Sequence, residues 1–144
     1  MEYIEFSPDS KLKCLNDAMF SESSLEYISI PSSVSKFGDN WCRETKNLIE
    51  VNVIQSSLSK SQNIIYFDDK FIIGKSDVKS ENYDLLIFAR RDILTAKIPS
   101  FIKKIQPYCF EYCKNLLKIE FENDSQLHFI GNHAFVGTSI IEIN

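Results

Sequence analysis

The sequence predicts an α/β solenoid: a parallel sheet on one face, short helical turns opposite, and a strand-rich enlarged coil in the middle. The first observation is a fixed period. Ile30 and Val53 lie 23 residues apart, as do Ile98 and Phe121. Residues 3–29 align without a gap onto residues 118–144 at an offset of 115, five such periods, with nine identities that include Ile4/Ile119, Phe6/Phe121, Leu12/Leu127 and Phe20/Phe135. A period of this length, carrying one strand and one turn, is the signature of stacked repeats.

The second observation is a pair of apolar signatures in each period. One is a strand in which alternate residues face opposite sides: Ile4/Phe6, Ile28/Ile30, Val51/Val53, Ala96/Ile98, Ile119/Phe121 and Ile143. The other is a small-plus-large pair, Met19-Phe20, Trp41-Cys42, Cys109-Phe110 and Ala134-Phe135, expected to fill the space between the strand layer and the opposite wall. Asp39 and Asn132 precede the short turns as helix N-caps, and Pro107 fits a first turn. The repeats run at about 4–29, 30–53, 98–121 and 122–144, around an enlarged coil at 54–97, all within one domain over 1–144. In that coil the string IIYFDDKFIIG reads as a β-hairpin turning at Asp68-Asp69-Lys70, the polar loop 75–84 follows, and LLIFA is a further strand.

Composition bounds the function. Apolar residues make up 44% and charged residues 25% of the 144, enough to bury a core, and the net charge of −4 offers no basic stripe for nucleic acid. No apolar run approaches the roughly 20 residues of a membrane span. The opening MEYIEFSPDSKLK has neither a basic nor an apolar leader region, so the expectation is a soluble chain that stays where it is made. Cys14, Cys42, Cys109 and Cys113 fall at or beside core positions and read as small buried hydrophobes, although a disulfide is also compatible with their number. No phosphate-binding, nucleophile-elbow or zinc motif occurs, and His128 and His133, five apart, suit no metal pair. A Cys109 or Cys113 nucleophile with His133 is the only enzymatic arrangement to weigh, and packing is the better use of both thiols. The expectation is no enzyme and no cofactor.

These residues carry a family likeness. IGNHAF at 130–135, FEYCKNL at 110–116, and IPSSV and IPSFI after the strands resemble the leucine-rich repeats of BspA-like surface antigens over about 100 residues. The resemblance implies a leucine-rich-repeat solenoid used in adhesion and protein recognition at the cell surface. The binding surface is then the outward row of the sheet. Its predicted contacts are Tyr27, Asn52, Lys97 and Glu120, in a strip with Glu5, Ser29 and Asn144, meeting a protein or glycan ligand. The alternatives are a structural segment of a longer array, or an intracellular scaffold. Because the chain starts and stops within strands, self-association through uncapped ends is also expected.

Overall fold

The computed structural model describes residues 2–17, 19–58, 60 and 62–144. The chain forms a stack of about six turns whose front wall is built from β1 (Tyr3–Glu5), β3 (Tyr27–Pro31) and β5 (Glu50–Ile54) in one parallel sheet. A second parallel sheet comprises β9 (Thr95–Ile98), β11 (Lys118–Phe121) and β13 (Glu142–Ile143). Register repeats the period: Ile4 pairs Ile28, Ile28 pairs Val51, Ala96 pairs Ile119 and Ile119 pairs Ile143. Alternation turns Ile28, Ile30, Val51, Ala96, Ile98 and Ile119 inward, where all six are buried.

The second wall holds β2 (Cys14–Leu15) beside β4 (Lys36–Phe37). Further along it, β8 (Leu85–Ala89), β10 (Lys104–Ile105) and β12 (Phe129–Ile130) run parallel. The predicted hairpin is present as β6 (Ile64–Phe67) and β7 (Phe71–Gly74), antiparallel, with β7 also antiparallel to β8. Asp68 and Asp69 both take positive φ, 55° and 53°, as a tight turn between right-twisted strands requires.

The third wall contains no helix among the described residues, which corrects the expectation of short helical turns and removes the N-cap role given to Asp39 and Asn132. The hydrogen bonds give the reason. The amides of Cys109, Glu111 and Cys113 bond three residues back, to Gln106, Tyr108 and Phe110. The amides between them, of Tyr108, Phe110 and Tyr112, reach across to Asn132, Ala134 and Val136 of the next coil. A helix would use every amide internally, so this wall is a stack of turns that shares its donors between coil and neighbour. Left-handed φ values at Glu22, Glu44, Tyr108, Tyr112 and His133 make the alternation geometrically accessible. Inside it, Trp41, Cys42, Cys109 and Phe110 are fully buried as predicted, whereas of Met19-Phe20 only Phe20 turns in and Met19 stays exposed.

The enlarged coil divides the interior in two. Ile64 and Tyr66 of β6, Ile72 of β7, and Leu85 and Ile87 of β8 pack with Trp41, Leu15 and Ile28. Their alternates, Ile65, Phe67, Phe71, Ile73 and Leu86, pack with Phe110, Ile98 and Leu116. A strand buried on both faces loses the polar alternation of a half-exposed one, which is why FIIG and LLIFA are continuous apolar runs. Phe88 breaks the rhythm by following Ile87 into the first core, and a bulge in the β7–β8 pairing at Ile72/Ile73 supplies the extra residue.

Candidate functional site: the open sheet face

The four predicted contacts lie on the front wall as two pairs. Lys97 on β9 stands directly opposite Glu120 on β11. Tyr27 on β3 is opposite Glu50, and Asn52 on β5 is opposite Ser29, so Tyr27 and Asn52 sit diagonally on one face. Asn52 and Lys97 are exposed, Tyr27 and Glu120 half-buried. Tyr27 meets the Tyr3 ring edge-on at 6.4 Å, and Tyr3 is 62% exposed. Ser29, expected outward with them, is buried: its short side chain lies between the longer flanking residues Glu5 and Asn52 in register.

Glu120 is already engaged. The Lys118 ammonium sits 2.8 Å from its carboxylate and 3.8 Å from that of Glu142. That hydrogen bond, and then the Lys118 charge, hold the Glu120 carboxyl below its usual range. The same contact raises Lys118. Lys97, opposite, is the outer member of this charged cluster and also lowers Glu120.

The two pairs are not one uninterrupted ribbon. β5 and β9 belong to separate sheets, and the β6–β7 hairpin tip stands at the break. There the Lys70 ammonium donates to the Thr95 carbonyl at 3.1 Å. Arg90 grips Asp92 through two bonds of 3.1 and 2.8 Å and approaches Asp69 at 3.7 Å. Sequence reasoning missed this charged ridge. Its signal was the length of the enlarged coil, which left too much chain for a simple rung. Loop 75–84 is also pinned: Asp84 accepts the Ser76 amide at 2.8 Å and its hydroxyl at 2.6 Å, and Lys75 lies 5.1 Å from the Tyr83 ring centre.

Three of the four thiols are unsuited to act as nucleophiles. All four are free, and Cys42, Cys109 and Cys113 are buried. Burial pushes Cys42 and Cys113 up to about 11 despite the opposing pull of Arg91, and pushes Cys109 well up too. A reactive cysteine needs the reverse. Among the described residues no group of three His, Cys, Asp or Glu side chains is placed to hold a metal ion.

Repeating strands with a 23- to 24-residue register and a stitched turn wall find their counterpart in sequence. The BspA type leucine rich repeat region matches residues 1–73 and 75–144 in six copies. The chain belongs to this family. The match runs through the enlarged coil as well. Two solved structures share the fold of this BspA-type chain. A leucine-rich repeat protein from Eubacterium ventriosum ATCC 27560 superposes with a TM-score of 0.75 at 23% identity, covering 99% of this chain and 37% of its own. A leucine rich cell surface protein from Faecalibacterium prausnitzii A2-165 gives 0.74 at 19% identity, covering 100% and 41%. The chain thus spans about two-fifths of the length of these solved neighbours. No curated protein matches it. No helix among the described residues is long and apolar enough to cross a membrane.

Proposed function

We propose that this chain is a non-catalytic recognition module that binds a protein or glycan partner on its open sheet face. Tyr27, Asn52, Lys97 and Glu120 are the contact residues. The observation that carries the reading is the outward ladder in fixed register, with Lys97 opposite Glu120 and the exposed Tyr3 beside Tyr27. Tyrosine is among the side chains that anchor protein interfaces. A cell-surface setting belongs to this reading and is supported by the name of the Faecalibacterium neighbour. Labelling of intact cells by an impermeant reagent tests that part.

The contact residues are tested by immobilising the chain and capturing partners from host-cell extracts and glycan arrays. Replacing Tyr27, Asn52, Lys97 and Glu120 by Ala abolishes capture while the chain stays folded; the exposed pair Asn52 and Lys97 changes stability by no more than about 0.5 kcal/mol. Replacing Lys75, Lys79 and Glu81 in the loop leaves capture intact. The opposite pattern moves the site to the enlarged coil.

A second reading, a segment of a longer or self-assembling array, has its own support. Ile141 is 84% and Ile143 68% exposed, and the outer edges of β1 and β13 pair with no strand among the described residues. Unpaired edges with apolar neighbours template association. Sedimentation that shifts with concentration supports this reading, and a constant monomer counts against it.

A further inference from the structure

The bend between the front wall and the second wall carries a cavity of about 580 Å³ over the first three coils. Its size falls within the roughly 300–1,000 Å³ of small-molecule sites. Ser10, Ser33 and Ser56 line it, each 23 residues from the next, one from each successive coil. Lys11 and Lys13 rim one end, and Leu58 and Val78 supply an apolar side. No carboxylate lines it among the described residues, although acidic residues outnumber basic ones 20 to 16 in the chain. The neighbouring acids are turned to local bonds: Asp9 takes the Ser57 hydroxyl and Asp77 the Lys79 amide.

Ser10 accepts the Leu12 amide at 3.2 Å, and Ser56 accepts the Leu58 amide at 3.2 Å. Neither hydroxyl hydrogen meets an acceptor among the described residues. Ser56 is only 4% exposed and its oxygen already has that partner, so only its hydrogen is left to find an acceptor. An occupant that accepts hydrogen bonds would complete it. The same bend in the later coils has a different lining. There a cavity of about 480 Å³ is lined by Glu81 and Asp84 beside a single cation, Lys103, with Phe101 and Tyr83. The lysine–hydroxyl lining is therefore specific to the first three coils.

We infer that this cavity binds a sugar bearing a sulfate or phosphate group, with Lys11 and Lys13 on the oxyanion and Ser10 and Ser56 donating to its oxygens. Ammonium groups and hydroxyl donors stabilise an oxyanion by charge-assisted hydrogen bonds, and the apolar side formed by Leu58 and Val78 suits the carbon face of a sugar ring. The cavity exceeds what a bare ion fills, so the ring contributes to binding. This site lies apart from the sheet face, and the two stand or fall separately.

Titration calorimetry of the full chain tests it with four ligands: a sulfated heparin disaccharide, glucose 6-phosphate, neutral cellobiose, and inorganic sulfate or phosphate. The expected result is that at least one charged sugar binds ten-fold or more tighter than cellobiose and the free ions. Which of the two does so separates sulfate from phosphate as the source. Lys11→Ala with Lys13→Ala, both exposed and so neutral for folding, lowers that affinity at least ten-fold, and Ser56→Ala lowers it several-fold. Tyr27→Ala with Lys97→Ala leaves it unchanged. Free ions binding as well as the sugars would mean an adventitious ion only and overturn the inference. So would cellobiose matching the charged sugars, or a lysine double variant that binds like the parent.

Discussion

The Arg91 guanidinium donates to the Cys109 carbonyl at 2.8 Å and, from its other terminal nitrogen, to the Cys42 carbonyl at 3.3 Å, joining turn walls 67 residues apart in sequence. The same group reaches Thr45 through its carbonyl at 3.3 Å and its hydroxyl at 3.2 Å, and the Tyr108 carbonyl at 3.3 Å. Elsewhere neighbouring turns stitch these carbonyls with backbone amides. Here the enlarged coil sends β8 through the interior, and one buried side chain, 2% exposed, adds a second donor to carbonyls that already accept the Thr45, Ala89 and Glu111 amides. Its cation lies 4.4 Å from the Phe88 ring centre. Glu111, the nearby buried carboxyl, accepts the Glu44 amide at 2.7 Å, and burial raises its pKa.

Arg91→Ala is therefore expected to destabilise the fold by more than about 2 kcal/mol, since several buried carbonyls lose a charged donor and each such bond contributes about 1.5–3 kcal/mol. Arg91→Lys keeps the charge but loses the planar fork, and is expected to destabilise by a comparable amount. Urea unfolding followed by Trp41, the single tryptophan, reads this directly, since its ring lies 5.7 Å from that of Phe88. Two variants that unfold within about 1 kcal/mol of the parent would remove Arg91 from this role.

Phe110 is buried between Phe71 at 6.0 Å and Phe135 at 5.0 Å. Phe110→Ala should lose about 3–5 kcal/mol, as for other emptied aromatic core sites. A melting temperature within a degree or two of the parent would contradict the packing of this coil.

The thiols predict an alkaline limit. Cys42 and Cys113 hold their protons to about pH 11 in the folded chain against 9.0 when unperturbed. The unfolded chain releases them first, so their contribution is complete below pH 9 and is lost as pH climbs toward 11. Each shift corresponds to about 3 kcal/mol. Thermal melts at pH 7.5, 9 and 10.5 should fall more steeply for the parent than for a Cys42→Ala, Cys113→Ala variant; equal slopes would rule this out. In the same frame, a thiol reagent should label these cysteines slowly when folded and rapidly in denaturant.

The front wall was legible because half-exposed strands alternate, and Ile28, Val51, Ala96 and Ile119 follow that rule. The third wall was legible in its burial but not its backbone. A small-plus-large pair such as Cys109-Phe110 fills a core equally from a helix or a turn, while the left-handed φ of Tyr108 and Glu44 leaves no compositional mark. Arg91 was invisible for a related reason: its acceptors are backbone carbonyls, which every residue has. The outward residues Tyr27, Asn52, Lys97 and Glu120 were readable by alternation. The break between β5 and β9 depends on where the hairpin tip lands, and that is a tertiary outcome.

The partition of the interior by the β6–β7–β8 meander gives the last prediction. Phe88 faces the core of the early coils against Trp41, while Phe71 faces that of the later coils against Phe110. Both aromatics are fully buried, so each truncation to Ala should lose about 3–5 kcal/mol. Their local effects should differ, because stacked coils couple mainly to nearest neighbours and open in separate units. Amide hydrogen exchange in Phe88→Ala is expected to quicken first in β3 and β4, with β11 still protected. In Phe71→Ala the order reverses, and β11 exchanges ahead of β3. If both variants lost protection in the same strands at the same rate, the two cores would behave as one cooperative unit and the meander would not act as a boundary between them.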